Sequence, residues 1–455
     1  MSEQQLTAFV EETAEKFAVP GLAVGVWADG REIHACHGVT SLENPLPVDG
    51  HTLFQIASIS KSVTATALMR LAEQGRVDLE APVRSYVPEL ALADEAATAR
   101  ITVMHLLNHT SGLDWNLVTD TGEGDDALAA FVARLAELPM VSEPGARASY
   151  SQGGYNLLGR VIECVTGRTY EQAVTELVLE PVGMSESFFL IGSVITRRFV
   201  VGHEPDADGR VAVSRMWKGP RYNNPGGGLL TTVADLLRWS RFHLGDGRTE
   251  SGERILSPES LRRMQQPTVE LKASSLGDAF GICWFLREVG GVRAFGHGGS
   301  ASGQMAELLI VPERDFAVVS LANATDGMNA NQEILRWTLE HHLGLVDRDA
   351  EPLPHDPARA AELVGRYDSD AMTVTVDSDD QGMTLAAAIK PELRAALGGE
   401  APADYPPESM GLLPGDGDEY IVTGGGLKGQ RGCFTRDADG NVTTIDLAGR
   451  VFARV

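Results

Sequence analysis

Ser58-Ile59-Ser60-Lys61 sets a hydroxyl and an amine three residues apart, one turn along the same face if the segment is helical. A serine hydroxyl is a weak nucleophile until a base takes its proton, and a lysine partly desolvated in a cleft can have its pKa lowered enough to do so. A helix starting there also turns free backbone N–H groups toward developing negative charge. In isolation the same residues read more simply as an N-cap serine and a solvated lysine. A second group, Tyr150-Ser151-Gln152, lies in a polar stretch that runs straight into a helical pattern. Its tyrosine can pass protons between serine, lysine and leaving group, or simply cap the helix. The third, Gly296-His297-Gly298-Gly299-Ser300, ends a short strand whose glycines let a substrate backbone lie close to the sheet. There His297 offers a cation or hydrogen-bond donor to polarise Tyr150 or hold a substrate, although a histidine among glycines is by itself more often a turn residue. The three together, in this order on a helix start, a loop and a strand, carry an acyl-transfer reading that no one of them carries alone.

The elements that must position these residues follow from the hydrophobic pattern. Leu6, Phe9, Val10 and Phe17 fall at helical spacing, so the N-terminal stretch reads as an amphipathic surface helix. GLAVGVWADG and REIHACHGV predict a hairpin turning near Asp29-Gly30. From Ser58 to about Gln74 the pattern is helical and ends at Gly75; further helices are predicted at about 153–166, 170–180 and 233–244. Strands return near 293–323, then the helix NQEILRWTLEHHL. The pattern predicts an α/β (α+β) domain over 1–346 with one sheet assembled from both ends of the segment and covered by helices. The proline-bearing stretch 347–358 reads as a linker. Beyond it, 359–455 alternates in short runs (MTVTV, GMTLAAAI, EYIVTG, GCFTRD, VTTIDL, VFARV) separated by Gly, Asp and Asn turns, predicting a small antiparallel barrel or sandwich. Gly424-Gly425-Gly426 lacks the context of a phosphate loop and reads as a turn.

Composition narrows the function classes. With 63 acidic against 38 basic residues and a formal charge of -25, nucleic acid and anionic membranes are disfavoured partners. The N-terminus carries acids where an export signal needs lysines, and no segment approaches the apolar length of a membrane span, which predicts a cytoplasmic protein. Cys36, Cys164, Cys283 and Cys433 have no paired spacing and read as reduced, mostly buried thiols. The 11 histidines form no ligand pair beside a carboxylate, so neither a metal nor another cofactor is expected.

With these motifs in hand the chain resembles the superfamily of penicillin-binding proteins and class C β-lactamases, with its D-aminopeptidases, serine esterases and penicillin-binding-protein-type thioesterases that cyclise non-ribosomal peptides. The resemblance spans about 5–345 and rests on TLFQIASISKS, ITVMHLLNHTSGL, YSQGGYNLLG and PGGGLLTTVADLLRW as well as on the three groups above. It implies a β-lactamase/transpeptidase-like sheet and, for the C-terminal part, a lipocalin-like barrel. It implies Ser58 as nucleophile, Lys61 and Tyr150 as general base and acid, and His297 in the place usually held by lysine or histidine. The oxyanion hole is then the N–H groups of Ser58 and Ser300, with Gln152, Gly298 and Gly299 lining the substrate. His109, in the HTSG string, reads as framework. Two departures stand out: Gln152 replaces the usual asparagine, and Gly298 stands where penicillin-processing members often carry a hydroxyl residue. The second turns the expectation from β-lactamase or cell-wall carboxypeptidase toward D-aminopeptidases and related hydrolases. The expected substrate is a small molecule or peptide, carrier-bound in the cyclising alternative; a carboxylesterase, a β-lactamase and a non-catalytic acylated sensor complete the alternatives.

Overall fold

The computed structural model describes residues 2–206, 208–397, 404–415 and 417–455. Its main sheet has eight antiparallel strands in the order Arg31–Gly38, Gly21–Ala28, Phe316–Ala322, Gln304–Val311, Val292–Ala301, Phe285–Val289, Gly277–Phe280 and Val269–Ser274. The N-terminal hairpin pairs with a strand almost 300 residues later, Val24 opposite Ser320, so the sheet is closed from both ends of the domain.

The central strands are apolar on both sides because both sides are covered. Phe316 and Val318 face a core shared with the helices Glu3–Lys16 and Gly327–Leu343, while Ala317, Val319 and Leu321 face the large helical layer. Leu6, Val10 and Ala14 are the buried stripe of the first helix, whose start is fixed by a capping box between Ser2 and Gln5. The helices Ser60–Glu73, Gln152–Thr166 and Val233–Leu244 pack in the other layer.

Three strands between 269 and 289 lie outside the sequence expectation, which began the returning strands near 293. Two of them pair irregularly, with a register shift between Glu270 and Ser274, and their half-exposed alternation is interrupted by Gly277 and Gly281.

After the short helix Pro357–Leu363, eight strands form a closed barrel in chain order, from Gly365–Asp368 to Arg450–Arg454, closed by Tyr367 opposite Arg454. Tyr367, Val374, Leu385, Tyr420, Ile445 and Phe452 are among the side chains that fill its interior. The strand Tyr405–Leu412 escaped the sequence reading because Pro406 and Pro407 open it beside a register shift. Of the four cysteines, all free, Cys164 is exposed rather than buried. Among the described residues no helix is long and apolar enough to cross a membrane.

Candidate active site

The serine–lysine pair lies where a 3-10 turn, Ala57–Ile59, leads into the helix Ser60–Glu73. Ala57 takes φ +43, a left-handed conformation costly for a residue with a Cβ. This turn is pressed against the strand Val292–Ala301 so tightly that a Cβ on Gly299 would fall 2.1 Å from Ile56 O and 3.2 Å from Ser58 N. Glycine at 299 therefore lets the strand edge reach the backbone N–H of Ser58.

Lys61 is completely buried, and among the described residues no carboxylate bonds to it. Its Nζ lies 3.2 Å from Ser58 Oγ, donates to Gly226 O at 2.6 Å, and donates to Gln152 Oε1. Burial holds its pKa well below the ordinary lysine value, and the Arg450 guanidinium pushes it the same way. A neutral amine has two N–H bonds and one lone pair. With both N–H bonds spent on the two carbonyl oxygens, the lone pair is left for Ser58 Oγ, which is the geometry a general base needs.

The extra methylene of Gln152 has its own accommodation. A Cβ on Gly226 would lie 1.9 Å from Gln152 Nε2, so the longer side chain occupies space that only a glycine leaves free. Its Nε2 donates to Asn223 Oδ1 at 2.7 Å, which fixes which end of the amide meets Lys61.

Tyr150 is buried and its hydroxyl faces Ser58 without a hydrogen bond of normal geometry. Burial raises its pKa far above the ordinary phenol value, which keeps the hydroxyl protonated. Lys61 Nζ lies 4.9 Å from the centre of the Tyr150 ring. His297 is buried, stacked on Phe285 at 4.1 Å, with its ring centre 6.1 Å from that of Tyr150. Burial pushes its pKa down to about 3, and Lys61 adds to this whenever it is protonated. Its Nδ1 sits 2.6 Å from Gly298 O and so carries the proton, leaving Nε2 as a buried, unpartnered acceptor. Where the sequence reading offered a cation or donor at His297, a neutral ring whose Nδ1–H is already used presents Nε2 as an acceptor, open to the Tyr150 hydroxyl or to a substrate N–H. Gly298 and Gly299 are half-buried and Ser300 is exposed along the same strand.

The barrel enters the site by its last hairpin. Tyr150 N–H donates to Gly449 O at 2.7 Å, Val451 N–H meets Ser149 Oγ at 3.5 Å, and Asp370 N–H donates to Asp114 Oδ2 at 2.9 Å. Half-buried Arg450 holds its guanidinium over Trp115 at 5.0 Å and over Tyr150 at 5.8 Å, its Nε without a partner. Sequence reasoning missed Arg450, Trp115, Asn223 and the carbonyl of Gly226. Only the last had a signal, the glycine run at 226–228; the others lie in strings with no catalytic pattern and meet the site through tertiary contacts alone.

The Beta-lactamase family profile matches residues 6–343. The chain is 31% identical to penicillin-binding protein 4 of Amycolatopsis lactamdurans over 355 residues, covering 77% of this chain and 93% of that protein. Among solved structures it is similar over its whole length to SurE, covering 99% of that chain, with a TM-score of 0.77 and 25% identity. A second structure of that protein is described as SurE with D-Leu, at a TM-score of 0.78 and 24% identity, covering 100% of this chain and 99% of that one. The octameric penicillin-binding protein homologue from Pyrococcus abyssi shares the fold across 99% of this chain and 100% of its own, with a TM-score of 0.67 and 24% identity.

Proposed function

Because the chain belongs to the β-lactamase family, we propose that it is a serine hydrolase or acyltransferase in which Ser58 forms an acyl-enzyme with a peptide-like amide, ester or thioester. The observation that carries this reading is Lys61: a fully buried, charge-depleted amine whose two N–H bonds are held by Gln152 and Gly226 O, leaving its lone pair for Ser58 Oγ. Ser58 attacks the acyl carbon as Lys61 takes its proton. The oxygen of the tetrahedral intermediate is held by the N–H groups of Ser58 and Ser300, the kind of preorganised pair that supplies much of the acceleration in acyl transfer. Tyr150 delivers a proton to the leaving group, and His297 Nε2 accepts from its hydroxyl or from the substrate. An incoming water or amine then reverses these steps.

Three features support the finer reading that D-configured acyl donors are favoured and that the acceptor can be an amine of the same peptide. SurE, similar over the whole length, has a structure with D-Leu. Gly298 offers no hydroxyl for a penicillin-type carboxylate. The barrel hairpin roofs Tyr150 with Gly449 and Arg450, which limits water beside the acyl-enzyme and offers a cation to an acyl-donor oxygen. On this reading the protein works in the cytoplasm on a peptide donor, free or carrier-bound, without a metal or cofactor.

The test is mass spectrometry of protein and products after mixing wild type and Ser58→Ala with a short nitrophenyl ester, a D-alanyl anilide, a cephalosporin and a peptidyl thioester ending in a D-residue. An acyl mass gained by wild type alone, with one donor consumed, establishes the nucleophile, and the linear or cyclic product identifies the acceptor. Both proteins leaving every donor untouched removes the basis of the proposal.

A further inference from the structure

His109 is strained, buried and unused by the chemistry above. It takes φ +59 just after the helix Val103–Leu107, is 1% exposed, and its ring lies 4.3 Å from Tyr150, 5.1 Å from Tyr155 and 5.4 Å from Phe280, centre to centre. Its backbone and its ring both reach the Tyr150 segment. Ser149 N–H donates to His109 O at 2.8 Å and Ser151 N–H donates to His109 Nδ1 at 3.2 Å. Between them Tyr150 N–H goes to Gly449 O at 2.7 Å, and Gln152 N–H goes to Trp115 O at 2.6 Å. Four consecutive N–H groups of a loop are thus each held by a different acceptor, two of them on one histidine.

We propose that His109 is a positioning residue for Tyr150: its Nδ1 and main-chain oxygen clamp the backbone on either side of the tyrosine, and its ring forms the floor on which the phenol rests. The arrangement requires the neutral tautomer protonated on Nε2, because Nδ1 must accept. Lys61, His297 and Arg450 are the charged or titratable groups acting on the ring; with burial first, all three oppose its protonation. Tyr150 and Tyr155, whose rings are tilted by 36° against it, remain neutral phenols because burial raises both. His109 holds a left-handed backbone, uncommon for a residue that is not glycine, at the position from which its carbonyl and its ring nitrogen both reach the loop.

The inference rests on the acyl-enzyme reading only for the task Tyr150 performs; the clamp itself is tested separately. His109→Phe keeps a ring and removes the acceptor. His109→Asn tolerates the left-handed backbone and keeps an acceptor near the Nδ1 position. His109→Ala replaces the phenylalanine variant if that chain does not fold. Amide hydrogen exchange over 149–152 is measured in the full-length protein, with acylation by a nitrophenyl ester per labelled active site across pH. Loss of one buried acceptor predicts exchange at Ser151 and Tyr150 faster by about 10- to 100-fold in the Phe or Ala variant. Acylation then falls by a similar factor at unchanged KM with an altered basic limb, and the Asn variant recovers both to within about 3-fold of wild type. Unchanged exchange over 149–152 in the Phe or Ala variant overturns the clamp, as does equal loss in the Asn variant. If wild type itself forms no acyl-enzyme, the functional reading fails while the exchange result still decides the clamp.

Discussion

Gly226→Ala is the most direct probe of how the base is aimed. The new methyl would sit 1.9 Å from Gln152 Nε2, 2.5 Å from its Cδ and 2.8 Å from its Oε1. These atoms are the free end of a flexible side chain, so the clash is relieved by swinging the amide away rather than by moving backbone. Gly226 lies in the short helix Asn224–Gly227 without a positive φ, so alanine costs the backbone little. Folding should therefore change by about 1 kcal/mol or less. What is lost is the bond from Lys61 Nζ to Gln152 Oε1, one of the two that turn the lone pair toward Ser58. Leaving this buried N–H donor without its acceptor costs about 1–3 kcal/mol, which predicts acylation slower by about 5- to 150-fold. Losing an acceptor also destabilises the ammonium form, so the acid limb of the acylation profile moves to lower pH even as the maximum falls. Gln152→Asn alone shortens the side chain and loses part of the same contact. In the double variant the shorter amide leaves room for the methyl, so the two losses should be less than additive by at least about 1 kcal/mol. Stopped-flow acylation by a nitrophenyl ester gives all four rates. A single Gly226→Ala variant as fast as wild type, or strictly additive losses, refutes the account of Gln152.

Two further perturbations bear on the barrel and on acid stability. Gly449→Ala combines a strained φ near +69 with a Cβ 2.3 Å from Leu276 Cδ1; it should lift the hairpin off Tyr150 N–H and slow acylation even of a small ester about 10-fold. Full activity in this variant would confine the barrel to selecting large substrates. His243, between Trp239 and Trp284 with neither ring nitrogen bonded, is pushed by burial from 6.5 down to about 3. Between those values the unfolded chain binds the extra proton, so stability is present above about pH 6.5 and is lost as pH falls, by about 1.4 kcal/mol per unit. Urea unfolding from pH 6.5 to 4 should be less pH-dependent by about one proton in His243→Phe, and identical slopes would remove histidine burial as the cause.

How much of this was legible in the sequence depends on where each partner lies along the chain. Ser58 and Lys61 are three residues apart on one turn, and the glycines beside His297 stand out as a local run, so spacing and residue type brought both into view, although the steric reason for Gly299 is the distant Ile56–Ser58 backbone. The hairpin 21–38 and the strands near 293–323 were visible for the same reason, with apolar runs broken by turn residues. Gln152 was visible as a departure but not as a solution, because its compensation is the missing side chain of Gly226, 74 residues away, and nothing in a glycine run says which atom fills the space it leaves. The polarity of His297 was hidden in another way: whether an imidazole donates or accepts is decided by one bond to a neighbouring carbonyl and by burial, neither of which has a sequence pattern. The same holds more strongly for the barrel. Gly449 and Arg450 close an ordinary-looking hairpin, and only the docking of two domains gives the carbonyl of one and the guanidinium of the other a place over Tyr150. A domain boundary drawn from composition therefore separates what the active site joins. Tyr150 belongs by chain to the β-lactamase-family part, residues 6–343, but its backbone is held from both sides of that boundary, and a change in how the barrel docks acts on the residue proposed as proton carrier.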